Sequence, residues 1–298
     1  MTLSSPLGFQ TISFLSDYGL DDEFVGVVKS VVRSLAPDVI VIDITHNIAP
    51  HDVRAGGLAL ARASQYLAPG VVIAVVDPGV GGARRAVALE VGDGQSVLVG
   101  PDNGLLAPAV AMCGGATAAV ELDNPRFHLV TSGAGAGATF AGRDIFAPVA
   151  AHLCLGVTLR ELGSEIDVES LTPGLLPVAR NEGGAVIAEV LWVDRYGNAQ
   201  LNIDPTDIEP LGSTLRVRAR ESVRRVVLAS TYGELSTGAV GLVVDSYGLL
   251  SLCVDRGSAA LEMRIAAGDE VRVEPVDDDA ATESGVVPIA LRKRGNAS

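Results

Sequence analysis

Residues 11–45, TISFLSDYGLDDEFVGVVKSVVRSLAPDVIVIDIT, decide the reading of the fold. TISFLS is a short apolar run of strand character. Beyond it, Phe24, Val27, Val28, Val31, Val32 and Leu35 recur every three or four residues, so a helix over residues 22–35 carries them on one face. Pro37 has no amide hydrogen and stops that helix, and VIVIDI then opens a second strand. Strand, helix and strand in this order predict a crossover unit whose two strands run parallel.

The alternation continues through the runs VVIAVV, AVALEV and SVLVG, with further helices predicted over residues 52–66 and 144–155. Residues 1–180 therefore read as an α/β domain with a mostly parallel sheet. After the Pro/Gly-rich stretch LTPGLLPVARNEGG the pattern changes. AVIAEVLWV, TLRVRAR, RRVVLAS, AVGLVVD and DEVRVEPV are short segments separated by turn residues, and residues 181–298 read as an antiparallel all-β domain. SGAGAG has no strand before it and reads as a mobile surface loop; DDDAATESG reads as a solvated one.

Across 298 residues, 22 Lys and Arg stand against 36 Asp and Glu, a net charge of −14. Neutralising phosphates needs a basic stripe, so the balance argues against a nucleic-acid partner. Hydrophobic residues make up 48%, enough for sizeable cores in two domains. No apolar run approaches the roughly 20 residues that span a bilayer. MTLSSPLGFQ has neither the basic nor the apolar region of a signal peptide. The expectation is a cytoplasmic protein with no membrane partner. Cys113, Cys154 and Cys253 are far apart in apolar surroundings and read as buried thiols rather than a disulfide or a metal site.

In an open α/β sheet, ligands bind beyond the carboxyl ends of the strands. The polar residues there are Asp17 after FLS, Thr45, His46 and Asn47 after VIVIDI, Asp77 after VVIAVV, and Asp102 and Asn103 after SVLVG. Asp194 follows LWV in the second domain in the same way. A carboxylate so placed accepts paired hydrogen bonds from a diol or holds an ammonium group, although an Asp after a strand is more often a turn or cap residue. DPGVGG looks like a phosphate loop but is followed by the strand-like RRAVALEV instead of a helix. His46 and His51, separated by Pro50, share no helix face, so they read as solvent-facing or ligand-edge histidines beside a capping Asp52. There is no GxSxG elbow, no Cys–His pair and no Walker-type Lys.

FLSDYGLDDEFVGVVK, VIDITHNIAPHDVRAG, VVDPGVGGARR, VGPDNGLL, TFAGRDIFAPVAAHL, DRYGNAQLNI and DSYGLLSL follow one another in this order. Together they resemble the S-adenosyl-L-methionine (SAM) hydroxide adenosyltransferases, adenosine-forming hydrolases related to the fluorinase and chlorinase. The resemblance runs from about Thr11 to Ala260. It implies an N-terminal α/β domain, a barrel-like C-terminal domain, and a homotrimer whose sites lie between the N-domain of one subunit and the C-domain of the next. The implied reaction is attack of water or hydroxide on C5′ of the substrate SAM, with no metal or redox cofactor.

On this resemblance Asp17 grips the ribose hydroxyls, and Asp194, Ser246 and the nearby Asp22 contact the methionine end. Asn198, Tyr196 and Tyr232 belong to the adenine site, the alternative for the two tyrosines being core packing, and Arg256 counts among the substrate-binding residues. Phe140 and Gly142 wall the pocket. Asp77 and Arg84 match the first two members of an Asp, Arg and His set, with Arg85 leaving the register to be checked. A carboxylate beside the nucleophile repels halide and orients or deprotonates water. The third member departs: the pattern Thr-Phe-His-Gly-Arg-Asp is here TFAGRD, with Ala141 at the histidine position, either as a natural variant or as a substitution that slows turnover. Tyr247 and Asp255 are smaller departures, standing where an Arg and an Asn are usual. The readings left are a SAM hydrolase impaired at Ala141, a SAM-dependent halogenase, and a catalytically weakened SAM- or adenosine-binding protein.

Overall fold

The computed structural model describes residues 8–129 and 138–276, so SGAGAG and DDDAATESG lie outside the described residues. The chain divides into two compact units, one ending at Leu176 and the other beginning at Pro177.

In the first unit β1 (Thr11–Ser16), α1 (Phe24–Leu35), β2 (Ile40–Thr45), α2 (Val53–Ser64) and β3 (Val71–Val75) follow as the sequence predicts. Then come β4 (Ala86–Val91), β5 (Ser96–Pro101), α3 (Ala107–Met112), β6 (Ala116–Glu121), α4 (Ala147–Cys154) and β7 (Ser164–Glu165). The sheet order is β2-β1-β3-β5-β4-β6-β7. The pairs β1–β2, β1–β3 and β3–β5 are parallel, whereas β4 runs antiparallel to both its neighbours. The reason is local: only residues 92–95 join β4 to β5, with Gly92, Asp93 and Gly94 all at positive φ. A loop of that length makes a hairpin, while a parallel pair needs a crossover of a dozen residues or more.

Both sheet faces are covered, which explains the unbroken apolar runs. Ile12, Phe14, Ile73 and Val75 pack with Val28 and Val32 of α1 and Val149 of α4. Leu15, Val72 and Ala74 join Leu60 of α2 and Ala109 of α3 on the other face. Asp52 caps α2, its carboxylate accepting from the Ala55 amide at 2.8 Å. The helix predicted over residues 144–155 begins earlier, as a π-helical turn over Gly142–Phe146 that runs into α4.

The second unit comprises β8 (Arg180–Glu182), β9 (Ala185–Val193), β10 (Ala199–Leu201), β11 (Leu215–Ala219), β12 (Ser222–Ala229), β13 (Val240–Val244), β14 (Leu250–Val254) and β15 (Glu270–Pro275). The order β10-β14-β13-β12-β11-β15-β9 closes on itself because the far half of β9 also pairs with β10; β8 is an extra strand on β9. Seven strands thus form a closed barrel around Val190, Leu201, Leu215, Val217, Leu242 and Val273. One pairing differs from the antiparallel reading: β12 and β13 are parallel, joined through a 3₁₀ turn at Tyr232–Glu234 that returns the chain to the start of the next strand. Among the described residues no helix is long and apolar enough to cross a membrane.

One ion-pair network staples the barrel. Glu274 on β15 accepts from Arg216 Nε at 2.6 Å, Arg272 Nε at 2.8 Å and Arg218 Nη2 at 3.3 Å. Arg216 is its cross-strand partner in register. Burial alone would raise this carboxyl, but the three guanidinium groups hold it down at about 2. A depressed carboxyl contributes stability above its unfolded-state value and loses it as protons bind. The transition reported by Trp192 fluorescence is therefore expected to weaken as pH falls from about 4.5 to about 2. Glu274→Gln is expected to destabilise the unit by about 1–3 kcal/mol at neutral pH in urea melts, and to flatten that acid dependence.

Candidate active site

β1 and β3 are parallel neighbours, so their carboxyl ends lie at one edge of the sheet. Asp17 follows the end of β1, and Asp77 lies just beyond the end of β3. The corner is tied by backbone bonds: the Asp17 amide donates to Val75 O at 3.3 Å, and the Gly19 amide to His46 O at 2.8 Å. Asp17 Oδ2 accepts from the amide of His51, a residue held at φ 69°. Both carboxylates face a cavity of about 250 Å³, with Tyr18, His51, Thr139, Phe140, Ala141 and Gly142 in its wall.

Asp77 does not stand alone there. Arg84 Nε lies 3.0 Å from each of its oxygens and Nη2 2.6 Å from Oδ2, and both side chains are largely buried. The fork fixes the plane of the carboxylate. The Arg84 guanidinium also stands 5.7 Å from the Phe146 ring centre. Arg85 turns the other way, its Nη2 2.6 Å from Asp102 Oδ2, so the register leaves only Arg84 on Asp77. Successive residues on an extended chain point to opposite faces, which is why two adjacent arginines serve different carboxylates. Asp102 is further engaged by the Thr172 amide, and Asn103 binds Val76 O and the Leu105 amide. These two polar residues hold the loop together and do not face the cavity. Asp77 to Arg85 leads straight into β4, which agrees with rejecting a phosphate loop.

Tyr18 was not singled out by sequence reasoning, because aromatic residues after a strand usually serve the core. Its ring lies 5.7 Å from the rings of both Phe24 and Phe140, and 6.3 Å from Phe14. A Cβ placed on Gly142 would sit 2.3 Å from the Tyr18 hydroxyl, so the glycine leaves the space that this hydroxyl fills. Burial first, and then the charges of Asp17 and Asp77, push the phenol well above its ordinary value, opposed by Arg84. The phenol therefore stays neutral. The DYG spacing, a hydroxyl directly after the ribose-candidate Asp, was the available signal.

The barrel unit holds a second cavity, of about 600 Å³, lined by Tyr196, Asn198, Tyr232, Val254, Arg256, Gly257 and Ser258. Tyr196 is 74% exposed and Tyr232 44%, so neither is a core residue. Asp194 organises this turn: Oδ1 accepts from the amides of Tyr196 and Asn198, and Oδ2 from the Asn198 side chain at 2.8 Å. Gly197, at φ 84°, has Ser258 Oγ where a Cβ would go. Ser246 is exposed in the turn after β13, and Asp22 is exposed ahead of α1; neither is in the wall of these two cavities.

The histidine reading needs one correction. His51 does edge the cavity, but His46 is only 4% exposed, packed 4.6 Å from the Phe14 ring with Nδ1 2.8 Å from Ser16 Oγ. The apolar cover of Phe14 draws it inside, Ser16 pairs with Nδ1, and Nε2 stands 3.2 Å from Asp43 Oδ1. Cys154 and Cys253 are buried free thiols, pushed up to about 12 and about 11 by burial; Cys113 is free and partly buried. Among the described residues no group of three or more His, Cys, Asp or Glu could hold a metal ion.

The fold is an α/β unit with two carboxylates at neighbouring strand ends, followed by a closed barrel presenting exposed tyrosines. Residues 12–163 match the model of the SAM hydroxide adenosyltransferase N-terminal domain, and residues 188–272 that of its C-terminal domain. The chain belongs to the SAM hydroxide adenosyltransferase family. An (R)-S-adenosyl-L-methionine hydrolase of Salinispora tropica is 47% identical over 88% of this chain and 97% of its own length. A protein of the same name from Thermus thermophilus is 43% identical over 88% and 98%. A fluorinase of Actinoplanes sp. is 26% identical over 89% and 98%. The crystal structure of an uncharacterized conserved protein from Thermotoga maritima superposes with a TM-score of 0.80 at 33% identity, covering 88% of this chain and 99% of that one.

Because three aromatic rings surround Tyr18, its hydroxyl makes way for an added methyl group only by pushing against them. Gly142→Ala is expected to destabilise the first unit by about 1–3 kcal/mol in thermal melts.

Proposed function

We propose that this chain hydrolyses S-adenosylmethionine, water displacing methionine from C5′ to leave adenosine. The observation that carries the reading is Asp77, held by a buried fork from Arg84 and facing the same cavity as Asp17. An anionic wall beside the nucleophile position repels a halide ion in a low-dielectric site, whereas water donates to it. The relatives at 43–47% identity carry the name (R)-S-adenosyl-L-methionine hydrolase, while the fluorinases stand at 26%. The substrate is accordingly read as the (R) sulfonium epimer.

In this reading Asp17 accepts from the ribose hydroxyls, and Asp77 orients the water and takes its proton. Arg84 keeps that carboxylate aimed. Phe140 and Gly142 shape the wall beside the reacting carbon. Asn198, Tyr196, Tyr232 and Arg256 receive the adenine. Asp194, with Ser246 and Asp22, serves the methionine end; its carboxylate holds three N–H groups of its own turn and keeps lone-pair capacity for an ammonium. The sulfonium is an activated leaving group, so alignment and one water suffice and the reaction uses no cofactor. The 250 Å³ cavity falls under the roughly 300–1,000 Å³ of small-molecule pockets, which supports completion by a barrel unit of a second subunit in a homotrimer. A cytoplasmic setting follows from a substrate of central metabolism.

The test is incubation of the purified protein with each sulfonium epimer, with and without chloride, followed by chromatographic identification of the nucleoside. Adenosine from the (R) epimer is expected with or without chloride; a halogenated nucleoside overturns the hydrolase reading. Asp77→Asn should lower kcat by about 10²–10⁴-fold with a much smaller change in substrate Kd. Ala141 supplies only a methyl group, so Ala141→His should raise kcat, by up to the same factor, while leaving Kd nearly unchanged.

A further inference from the structure

A water attacking carbon along one line needs its two hydrogens held in other directions, and one carboxylate oxygen holds only one of them. Asp77, fixed by Arg84, supplies that first acceptor. The same cavity is lined at Ala141 by a methyl group and at Gly142 by no side chain. The hydroxyl of Tyr18, in the wall of the same cavity, fills the space beside Gly142 that a Cβ would take. Phe24 and Phe140 hold the ring edge-on or tilted, so the hydroxyl is positioned without a partner of its own choosing.

On the hydrolase reading given above, we infer that Tyr18 is a catalytic residue whose phenol oxygen accepts the second hydrogen of the attacking water. The water oxygen then directs its lone pair at C5′. The C5′–O bond forms as the C5′–S bond breaks, the electron pair leaves with sulfur as the neutral thioether of methionine, and the surplus proton passes to Asp77 and on to solvent. Tyr18 keeps its own proton throughout. Its elevated phenol value, raised by burial and by the charges of Asp17 and Asp77, is consistent with that neutral role. An anionic Tyr at this place would add a third negative charge to the cavity.

Tyr18→Phe keeps every ring contact and removes only the hydroxyl. With the (R) epimer as substrate, kcat for adenosine release is expected to fall about 10–100-fold, with KM changed less than about twofold. In the Ala141→His background a second polar group faces the water, and the same substitution should cost less than about threefold, a non-additivity that loss of packing does not produce. Unchanged kcat in Tyr18→Phe, or equal losses in both backgrounds, overturns the inference. So does an inactive parent chain whose Ala141→His variant makes adenosine, which leaves the hydrolase reading intact. No adenosine from either protein refutes the hydrolase reading itself, and the inference with it. Should Tyr18→Phe not fold, Gly142→Ala decides: its added methyl group displaces the hydroxyl, and an unchanged kcat there also overturns the role of Tyr18.

Discussion

The parallel pairing of β1 with β3 is the constraint on which the site depends. Two strands that run the same way and lie side by side must end at the same sheet edge, and the residues following them meet there whatever their separation in sequence. Asp17 and Asp77 are 60 positions apart and share one cavity for this reason. The pairing holds because helices cover both faces of the sheet, burying Ile12, Phe14 and Ile73 on one side and Leu15, Val72 and Ala74 on the other. Sliding β1 by one residue would exchange those two sets and expose neither correctly.

The second constraint is electrostatic. Taking the Asp77 carboxylate out of water costs several kcal/mol, and the Arg84 fork offsets it only while both oxygens remain engaged. Removing one partner from such a pair typically costs about 3–5 kcal/mol, because it strands the other charge. The chain therefore aims its candidate base with Arg84, and Arg85 beside it braces Asp102 and the loop at Thr172. In the barrel unit the turn around Asp194 follows a different rule: its carboxylate accepts from three neutral N–H groups of the turn, and the rings of Tyr196 and Tyr232 stand exposed beside it.

Much of this was legible in residue order. Helix faces came from three- and four-residue recurrence, strands from β-branched runs, and the cap of α2 from Asp52. The polar residues beyond the strands made a short list that contained Asp17 and Asp77, but equally Asp102 and Asn103, whose bonds are spent on the backbone and on Arg85. Residue type did not separate them, because an Asp that braces a loop and an Asp that faces a ligand differ only in what surrounds them. His46 and Tyr18 were obscured in the same way: one polar residue goes inside and one aromatic residue turns a hydroxyl toward the cavity.

What the sequence determined by itself is the local grammar: which segments extend, which coil, which face of each is apolar, and seven ordered motifs that mark the family. The tertiary structure alone decided that β4 inserts antiparallel between β5 and β6, that β9 bends to pair with β10 and closes the barrel, and that β12 and β13 run parallel. It alone also placed a phenol beside Gly142. The division has one physical cause. Periodicity and capping are settled by atoms a few residues apart, whereas strand order and cavity contents are settled by how separate segments share the same buried volume.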